Sequence, residues 1–479
     1  MQPMRLELDS NVRRDPHGTA LLGGSPFRLI RLSAAGAQLL DTWLAGASGP
    51  ESTEATAMRA HLIRAGIVHP KPGPATRLPT AAFVIPTYEN AAGLAELLAS
   101  VRVNFPAVHI VVVDDASDDV ESTERVADAF DAQLLRHHKN QGPAAARNTG
   151  WRHLDDDSAT VCRPEVVVFI DTDVVPTPGA LAAVLRHLAD TSVAAAAPRV
   201  RAMPGTGSLS AYEATNSPLD LGPSNALVFP GTSVSYVPTA AFAIRLDALR
   251  AAGGFDESMR FGEDVDLIWR LADNQSVVRY VADAVVHHQN RSTLKAFARQ
   301  RLSYGSSAAT LARGHRAKVA PLQSPSRVVA ALLGAVFGNA PVRIVAGGVV
   351  GLSAWRLSGK LAGKVERPRA EALRLTAMSH RHAIAGLASA ATRCWAPLMS
   401  LSRRTRPALL ASLVIPAVVQ WARERPAHDP VTQIGLRAVD HGAYCAGVWR
   451  GVWSERSLTA LLPYVREPNP ATEYATEWA

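Results

Sequence analysis

Three apolar runs, each stopped by polar residues, limit what this chain can fold into. Ala82-Phe83-Val84-Ile85 ends at Pro86, His109 to Val113 ends at Asp114-Asp115, and Val166 to Ile170 ends at Asp171-Thr172-Asp173. Apolar runs without polar alternation suit parallel strands covered on both faces. A helical stretch, Gly93 to Val103, separates the first two, giving an alternating strand-helix plan. Open α/β sheets bind ligands at the carboxyl ends of their strands, so these acids stand where chemistry is expected.

The flanking regions read differently. Phe27 to Leu32 alternates like a strand, Ser33 is placed to cap a helix running to Leu44, and a second helix is expected to close at Gly66. The run Pro70 to Pro79 reads as a linker, because Pro72 and Pro74 remove backbone donors. From about Pro321 the chain becomes helical, with apolar segments at Arg327–Arg356 and Ala408–Ala422 and a basic one at Arg356–Arg381. A membrane-spanning helix needs about 20 apolar residues with few charges, whereas Val328–Ala340 is too short and Arg343 interrupts any longer span. Spanning helices, basic-flanked helices lying on a membrane surface, and packed soluble helices all remain open on this pattern. The expected domains are 1–70, a 71–79 linker, 80–320 and 321–479.

The net charge of +8 favours anionic partners, and 47% hydrophobic residues exclude global disorder. Cys162, Cys394 and Cys445 have no metal-type spacing, which points to a reducing, cytoplasmic setting. Met1 to Arg14 holds no apolar core of a secretory signal. Arginines mixed with apolar residues, without an aromatic stacking pattern, speak against nucleic-acid binding.

Four constellations could carry chemistry. Asp171 and Asp173, at i and i+2 after a strand, can share a hard divalent ion with diphosphate oxygens; such triplets also cap turns. Glu263-Asp264 opens a helix, where the macrodipole favours acids; alternatively one carboxylate is a general base. Arg147, in the run Asn140–Gly150, can meet phosphates, or be a solvated charge on an alanine-rich helix. Val285-Val286-His287-His288 ends a strand, and only one imidazole of an adjacent pair can face a site there.

In order, these segments resemble the inverting family-2 glycosyltransferases with a GT-A (nucleotide-diphospho-sugar transferase) fold. The resemblance rests on Phe83–Asn90, Val113–Ser117, Asn140–Gly150, Phe169–Asp173 and Gly253–Glu257 leading to Gly262-Glu263-Asp264, and it covers roughly residues 80 to 310. It implies an α/β core, an inverting hexosyltransferase, and a divalent cation, Mn²⁺ or Mg²⁺. It also implies roles: Pro86, Tyr88 and Asp115 at the nucleoside, Arg147 and Asp171 at the donor, Asp173 and His287 at the metal. Asp264 would be the base, with Glu263 beside the acceptor. Processive members carry Gln-x-x-Arg-Trp; here Arg299-Gln300-Arg301-Leu302-Ser303-Tyr304-Gly305 differs, so long-chain processivity is not expected.

The N-terminal segment, with Leu22–Pro26, Leu29–Ser33 and Ala65–Pro70, looks like a winged-helix, peptide-chaperone-like domain. Joined to the transferase core and a C-terminal helical region, it resembles the mycofactocin-system glycosyltransferases. That resemblance implies UDP-glucose as donor, a peptide-derived redox cofactor precursor as acceptor, and β-1,4-linked glucose as product. The broken apolar segments with basic flanks, and the absence of a signal-like core in Met1 to Arg14, lead us to expect the catalytic domain on the cytoplasmic side of the cell membrane, peripheral or integral, with membrane surface contact through the C-terminal region. The competing expectations are a membrane-associated transferase making a glycolipid or polysaccharide, and a catalytically inactive peptide-binding protein.

Overall fold

The computed structural model describes residues 5–50, 52–156 and 163–466; Cys162 lies outside them. The chain divides into two compact units, one of residues 1–12, 23–26 and 39–292, the other of residues 13–22, 27–38 and 293–479.

The N-terminal strands are β1 (Arg5–Leu8), β2 (Arg13–Arg14), β3 (Ala20–Gly23), β4 (Arg28–Arg31) and β5 (Val68–Lys71). β1 and β5 pair antiparallel in the first unit, where buried His69 meets Asp9 at 2.8 Å. β2, β3 and β4 form a separate three-stranded sheet. Ser33 Oγ accepts the Gly36 N–H at 3.1 Å and so starts the helix Ala34–Leu44. A second helix, Thr53–Arg64, stops just before Gly66 at φ +64°. Pro70 and Lys71 pair with Leu6 and Arg5, so regular structure reaches into the proline-rich run. A two-stranded sheet is all edge, and an edge strand tolerates a missing N–H.

The main sheet contains β6 (Ala81–Thr87), β7 (His109–Asp114), β8 (Gln133–Arg136), β9 (Val166–Ile170), β10 (Val174–Pro176), β11 (Val193–Ala202), β12 (Ala226–Leu227), β13 (Ala241–Arg245) and β14 (Val277–His288). Its order is β10-β14-β11-β13-β9-β6-β7-β8, with β12 on β14. The three apolar runs are β6, β7 and β9, and they pair in parallel. β13 then runs antiparallel to both β9 and β11, so the sheet is mixed. Chain order reverses at β6: the path steps outward to β7 and β8, then returns to β9 on the other side. A crevice opens at such a switch point, beyond the strand ends, which brings Tyr88 and Asp171 to its two sides.

Both faces of the parallel half are covered. Phe83, Ile85, Ile110 and Val112 bury against Leu94, Leu97, Leu98 and Val101 of helix Ala91–Asn104. On helix Pro143–Asp155, Gly150 presses on the sheet so closely that a Cβ would stand 2.4 Å from Val84 Cγ1.

In the second unit, helix Leu294–Val319 packs against helix Pro430–Glu455 at backbone contact. A Cβ on Gly305 would lie 2.1 Å from the Tyr444 carbonyl, and one on Gly447 2.0 Å from that of Leu302. Buried Arg301 and Asp440 meet across this seam at 3.2 Å. Helices Ser326–Phe337, Ala340–Leu361, Pro368–Arg393 and Arg406–Glu424 belong to the same unit. Among the described residues no helix is long and apolar enough to cross a membrane.

Gly150→Ala is expected to destabilise the first unit by about 1–3 kcal/mol, the cost of overpacking a close-packed core. Thermal unfolding followed by circular dichroism measures it, and an unchanged midpoint contradicts the packing described.

Candidate active site

The loops after β6 and β7 are braced side by side. Glu89 and Ala116 both hold left-handed backbone, φ +51° and +67°, a conformation that costs a non-glycine residue free energy and tends to cluster at functional sites. Glu89 N donates to Ser117 Oγ at 2.9 Å, and Asp118 N donates to Glu89 Oε1 at 2.7 Å. Tyr88, between them, leaves half its surface exposed.

Asp115 is buried. Its Oδ1 accepts from Gln141 N (2.8 Å) and from His137 Nδ1 (2.7 Å), and its Oδ2 from Gly142 N (2.7 Å). The carboxylate therefore holds the turn that leads into helix Pro143–Asp155. Each oxygen has two lone pairs, so Oδ2 retains capacity for one more donor.

Arg147, on that helix, is buried and bridges two carboxylates. Nη1 donates to Glu263 Oε1 at 2.8 Å and Nη2 to Asp171 Oδ1 at 2.7 Å, while the guanidinium lies over the Phe255 ring. Burial alone would lower its pKa, but Asp171 and Glu263, with Asp264 beyond, outweigh burial and raise it. Burial raises both Asp171 and Glu263 above ordinary carboxylates, with Arg147 opposing. These two bonds use one N–H of each terminal nitrogen, and the guanidinium carries five. The next residue, Asn148, uses every polar atom. Nδ2 donates to the Phe255 carbonyl and Glu257 Oε1, and Oδ1 accepts from Phe255 N and Trp151 Nε1, at 2.8–2.9 Å. It pins the Gly253–Glu257 segment, which leads to the acids.

Glu263 and Asp264 open helix Glu263–Asp273 after Gly262 at φ +84°. Asp264 Oδ1 accepts from Val265 N at 2.8 Å. Burial and then the neighbouring Glu263 push its pKa up to about 7. A carboxyl group at that value changes protonation near neutrality, as a general base must.

The Asp171–Asp173 turn is held at three points. Asp171 N donates to the Ala240 carbonyl, Gln289 N donates to that of Asp173, and Asn90 Nδ2 donates to Thr172 Oγ1 at 3.0 Å. The histidine beside Asp173 is His288, not His287: its Nε2 lies 3.3 Å from Oδ2, with Arg291 at 3.7 Å. Adjacent residues of a strand face opposite ways, and the half-buried His287 feels Arg201 instead, with burial and that charge lowering its pKa. Burial alone would raise Asp173, but the His288 hydrogen bond and charge prevail and lower it. Asp173 in turn outweighs burial and raises His288.

The structure brings Asp171, Arg147, Glu263 and Asp264 into one electrostatic cluster and sets Asp173 with His288 beside it. Pro86 belongs to β6, with Tyr88 in the loop that follows. His137, Asn90, Phe255 and Arg291 were not picked from the sequence. Asn90 alone carried a signal, as the cap of a helix beginning just after a strand end.

The Glycosyl transferase family 2 profile matches residues 82–250. Pre-mycofactocin glycosyltransferases from two strains of Mycobacterium tuberculosis are each 38% identical to this chain over 476 residues, covering 96% of it and 97% of the relative. The chain belongs to this family. Its α/β core is accordingly a GT-A transferase domain, joined to a small N-terminal part and a C-terminal helical region. A crystal structure of GalNAc-T7 with UDP, GalNAc and Mn²⁺ aligns with 45% of this chain and 44% of its own at 15% identity and a TM-score of 0.35, too distant to bear on chemistry.

Two outcomes are expected. Arg147→Ala leaves two carboxylates without their cation and costs about 3–5 kcal/mol of stability, as removal of one member of a buried ion pair does; a melting temperature equal to wild type contradicts the bridge. Asp264 is raised in the fold, so between an ordinary aspartate value and about 7 the unfolded chain binds fewer protons. Stability therefore falls as pH rises through that window. Asp264→Asn removes this cost, giving a gain in melting temperature at pH 8 that vanishes near pH 4. A gain of the opposite pH trend contradicts the shift.

Proposed function

We propose that this chain transfers glucose from UDP-glucose, with inversion, onto a peptide-derived redox cofactor precursor, pre-mycofactocin, and builds a β-1,4-glucose chain on it. The observation that carries the reading is the cluster in which Arg147 joins Glu263 at 2.8 Å to Asp171, at the end of β9, at 2.7 Å, with the Asp264 carboxyl beside them pushed up to about 7 by burial and Glu263. The acceptor rests on the name of the Mycobacterium tuberculosis relatives, and the sugar on the motif resemblance alone.

In this reading the loops after β6 and β7 receive the nucleoside, with Pro86 and Tyr88 lining it and the spare Asp115 lone pair taking its imide N–H. Asp171, oriented by Arg147, contacts the donor sugar. Arg147 itself acts as a positioning residue. Asp264 takes the proton of an acceptor hydroxyl; that oxygen bonds the anomeric carbon as the bond to the diphosphate breaks, and UDP leaves from the opposite face. One displacement of this kind inverts the carbon.

Asp173 and His288 fit a divalent cation. Two ligands at about 2.1 Å from one hard ion and at right angles stand about 3 Å apart, close to the 3.3 Å between Oδ2 and Nε2. Among the described residues no cluster of three or more His, Cys, Asp or Glu forms a metal cage, which suits an ion completed by diphosphate oxygens. Mn²⁺ or Mg²⁺ bound there would neutralise charge on the leaving diphosphate. His288 takes the place expected for His287.

Residues 1–70 hold the acceptor in this reading, 71–79 connect, 80–320 carry the chemistry and 321–479 form the helical region. A cleft of about 1380 Å³ lined by Arg5, Trp43, Arg59, Lys71, Arg77 and Arg186 supports the first role. It meets the sheet at Glu165, before β9, whereas Asp171 follows β9. Five strand residues, and so six rises or roughly 20 Å, separate them, so the cleft would hold a part of the acceptor remote from the reacting hydroxyl. The same reading keeps the catalytic unit on the cytoplasmic side of the cell membrane. A lipid acceptor is the second reading, favoured by exposed apolar residues on helices Ala340–Leu361 and Arg406–Glu424.

The test is incubation with a panel of nucleotide sugars, pre-mycofactocin and a lipid acceptor, followed by mass spectrometry. Hexose addition to pre-mycofactocin from UDP-glucose is expected; addition only to lipid replaces the acceptor. Asp264→Asn should lower turnover by about 10²–10⁴-fold, the usual worth of a positioned base, with donor affinity kept. Asp173→Ala and His288→Ala should each weaken metal-dependent donor binding, and an unchanged metal titration moves the ion elsewhere.

A further inference from the structure

The charge of the chain is segregated along its length. Residues 284–423 carry 21 Lys and Arg against two acids, Glu366 and Glu371, while the remainder carries 29 against 40. The modest net charge of +8 therefore combines a strongly basic stretch with an acidic remainder. The same stretch holds 16 of the 26 exposed large apolar side chains among the described residues. Apolar surface and positive charge are concentrated together.

Helix Ala340–Leu361 shows how they are arranged. At 100° per residue, Ile344, Trp355, Gly348, Leu352 and Val345 fall within an arc of about 100°. Ile344 and Trp355 are each about three-quarters exposed, at 76% and 73%. No charge interrupts the arc; Arg356 borders it beyond Val345, while Arg343, in the first turn, falls on the opposite face. Ala346, Ala354 and Leu361 are buried on the other side. The helix is thus apolar on two faces, yet it does not qualify as a span. Helix Arg406–Glu424 repeats the plan. Ile415, Val418 and Val419 are exposed around buried Ala417, and Arg403, Arg404 and Arg406 stand at its start.

We propose that this helical unit docks peripherally on an anionic phospholipid surface. Ile344, Leu352, Trp355 and Ile415 would enter the acyl boundary, and the arginines beside them would meet lipid phosphates. Interfacial helices are recognised by this pairing of an apolar stripe with a basic border, and each basic residue near an anionic leaflet adds attraction. A second copy of this chain would bring like charge against like. Nucleic acid would neutralise the arginines but offer nothing to the apolar stripe. The inference rests on residues of the helical unit and does not depend on donor or acceptor.

The experiment is co-sedimentation of the full chain with vesicles of phosphatidylcholine alone and of phosphatidylcholine mixed with phosphatidylglycerol, at low and high salt. Binding to the mixed vesicles is expected, at least about tenfold tighter than to neutral ones and weakened by salt. Ile344→Glu combined with Trp355→Glu should lose at least about tenfold in binding, because charge enters the stripe. Wild-type circular dichroism and melting are the control for folding. Arg356→Gln combined with Arg404→Gln, which leaves the stripe intact, should bind mixed vesicles several-fold less and neutral vesicles unchanged. Absence of binding to both vesicles, equal binding to both, or wild-type binding by both variants overturns the proposal. So does a dimer in sedimentation velocity that the Ile344→Glu, Trp355→Glu variant dissolves, since a second copy then covers the face.

Discussion

Arg147 draws together two carboxylates distant in sequence, Asp171 at the end of β9 and Glu263 at the start of a helix. Neither acid is tolerable there alone. A buried carboxylate without a cation either takes up a proton or unfolds its surroundings, and Asp264 and Asp173 stand close enough to add their own repulsion. The guanidinium's planar fork suits two acceptors at once, as a lysine's point charge would not. Arg147 is fixed in turn by its helix, whose entry turn hangs on Asp115 and whose next residue, Asn148, clamps the segment leading to the acids. The first-unit site is thus a chain of constraints running from β7 through one helix to β9 and to the Glu263 helix.

Within that chain one group is left out of balance. Arg147 uses its terminal nitrogens on Asp171 and Glu263, and Asp264 receives only its own helix's N–H and a distant share of the positive charge. Its raised pKa is therefore the residue of an uneven distribution: two acids are partnered, the third is not. A stable fold alone would favour a neutral amide there. A base that accepts a proton near neutrality requires this unfavourable position, and the two partnered acids keep it from spreading.

How far the sequence spoke depends on the kind of interaction. β6, β7 and β9 were legible because two-sided burial admits only apolar residues, and their ends were legible because acids interrupt them. Ser33 and the Asn90 cap obey local rules. His288 was not separable from His287, since adjacent strand residues differ only in the face they present, and β14's face is set by pairing with β10. The carboxylate partners of Arg147 were not legible, because a lone arginine on an alanine-rich helix does not announce them; Glu263 lies over a hundred positions away. His137 gave no signal at all, being recruited by a turn whose shape is itself tertiary.

The helical region was ambiguous for a different reason. Its apolar segments are interrupted by arginines, and hydropathy averages over a window in which the two cancel. Resolving the angle of each residue separates them: on helix Ala340–Leu361 the exposed apolar side chains occupy an arc, Arg356 borders it and Arg343 falls outside it. A spanning helix would have to bury those guanidiniums in hydrocarbon, whereas an interfacial one places them among phosphates. The interruption that rules out a span is the feature that makes a surface-lying helix physically sensible, and the near absence of acids between residues 284 and 423 extends that logic from one helix to the whole basic stretch.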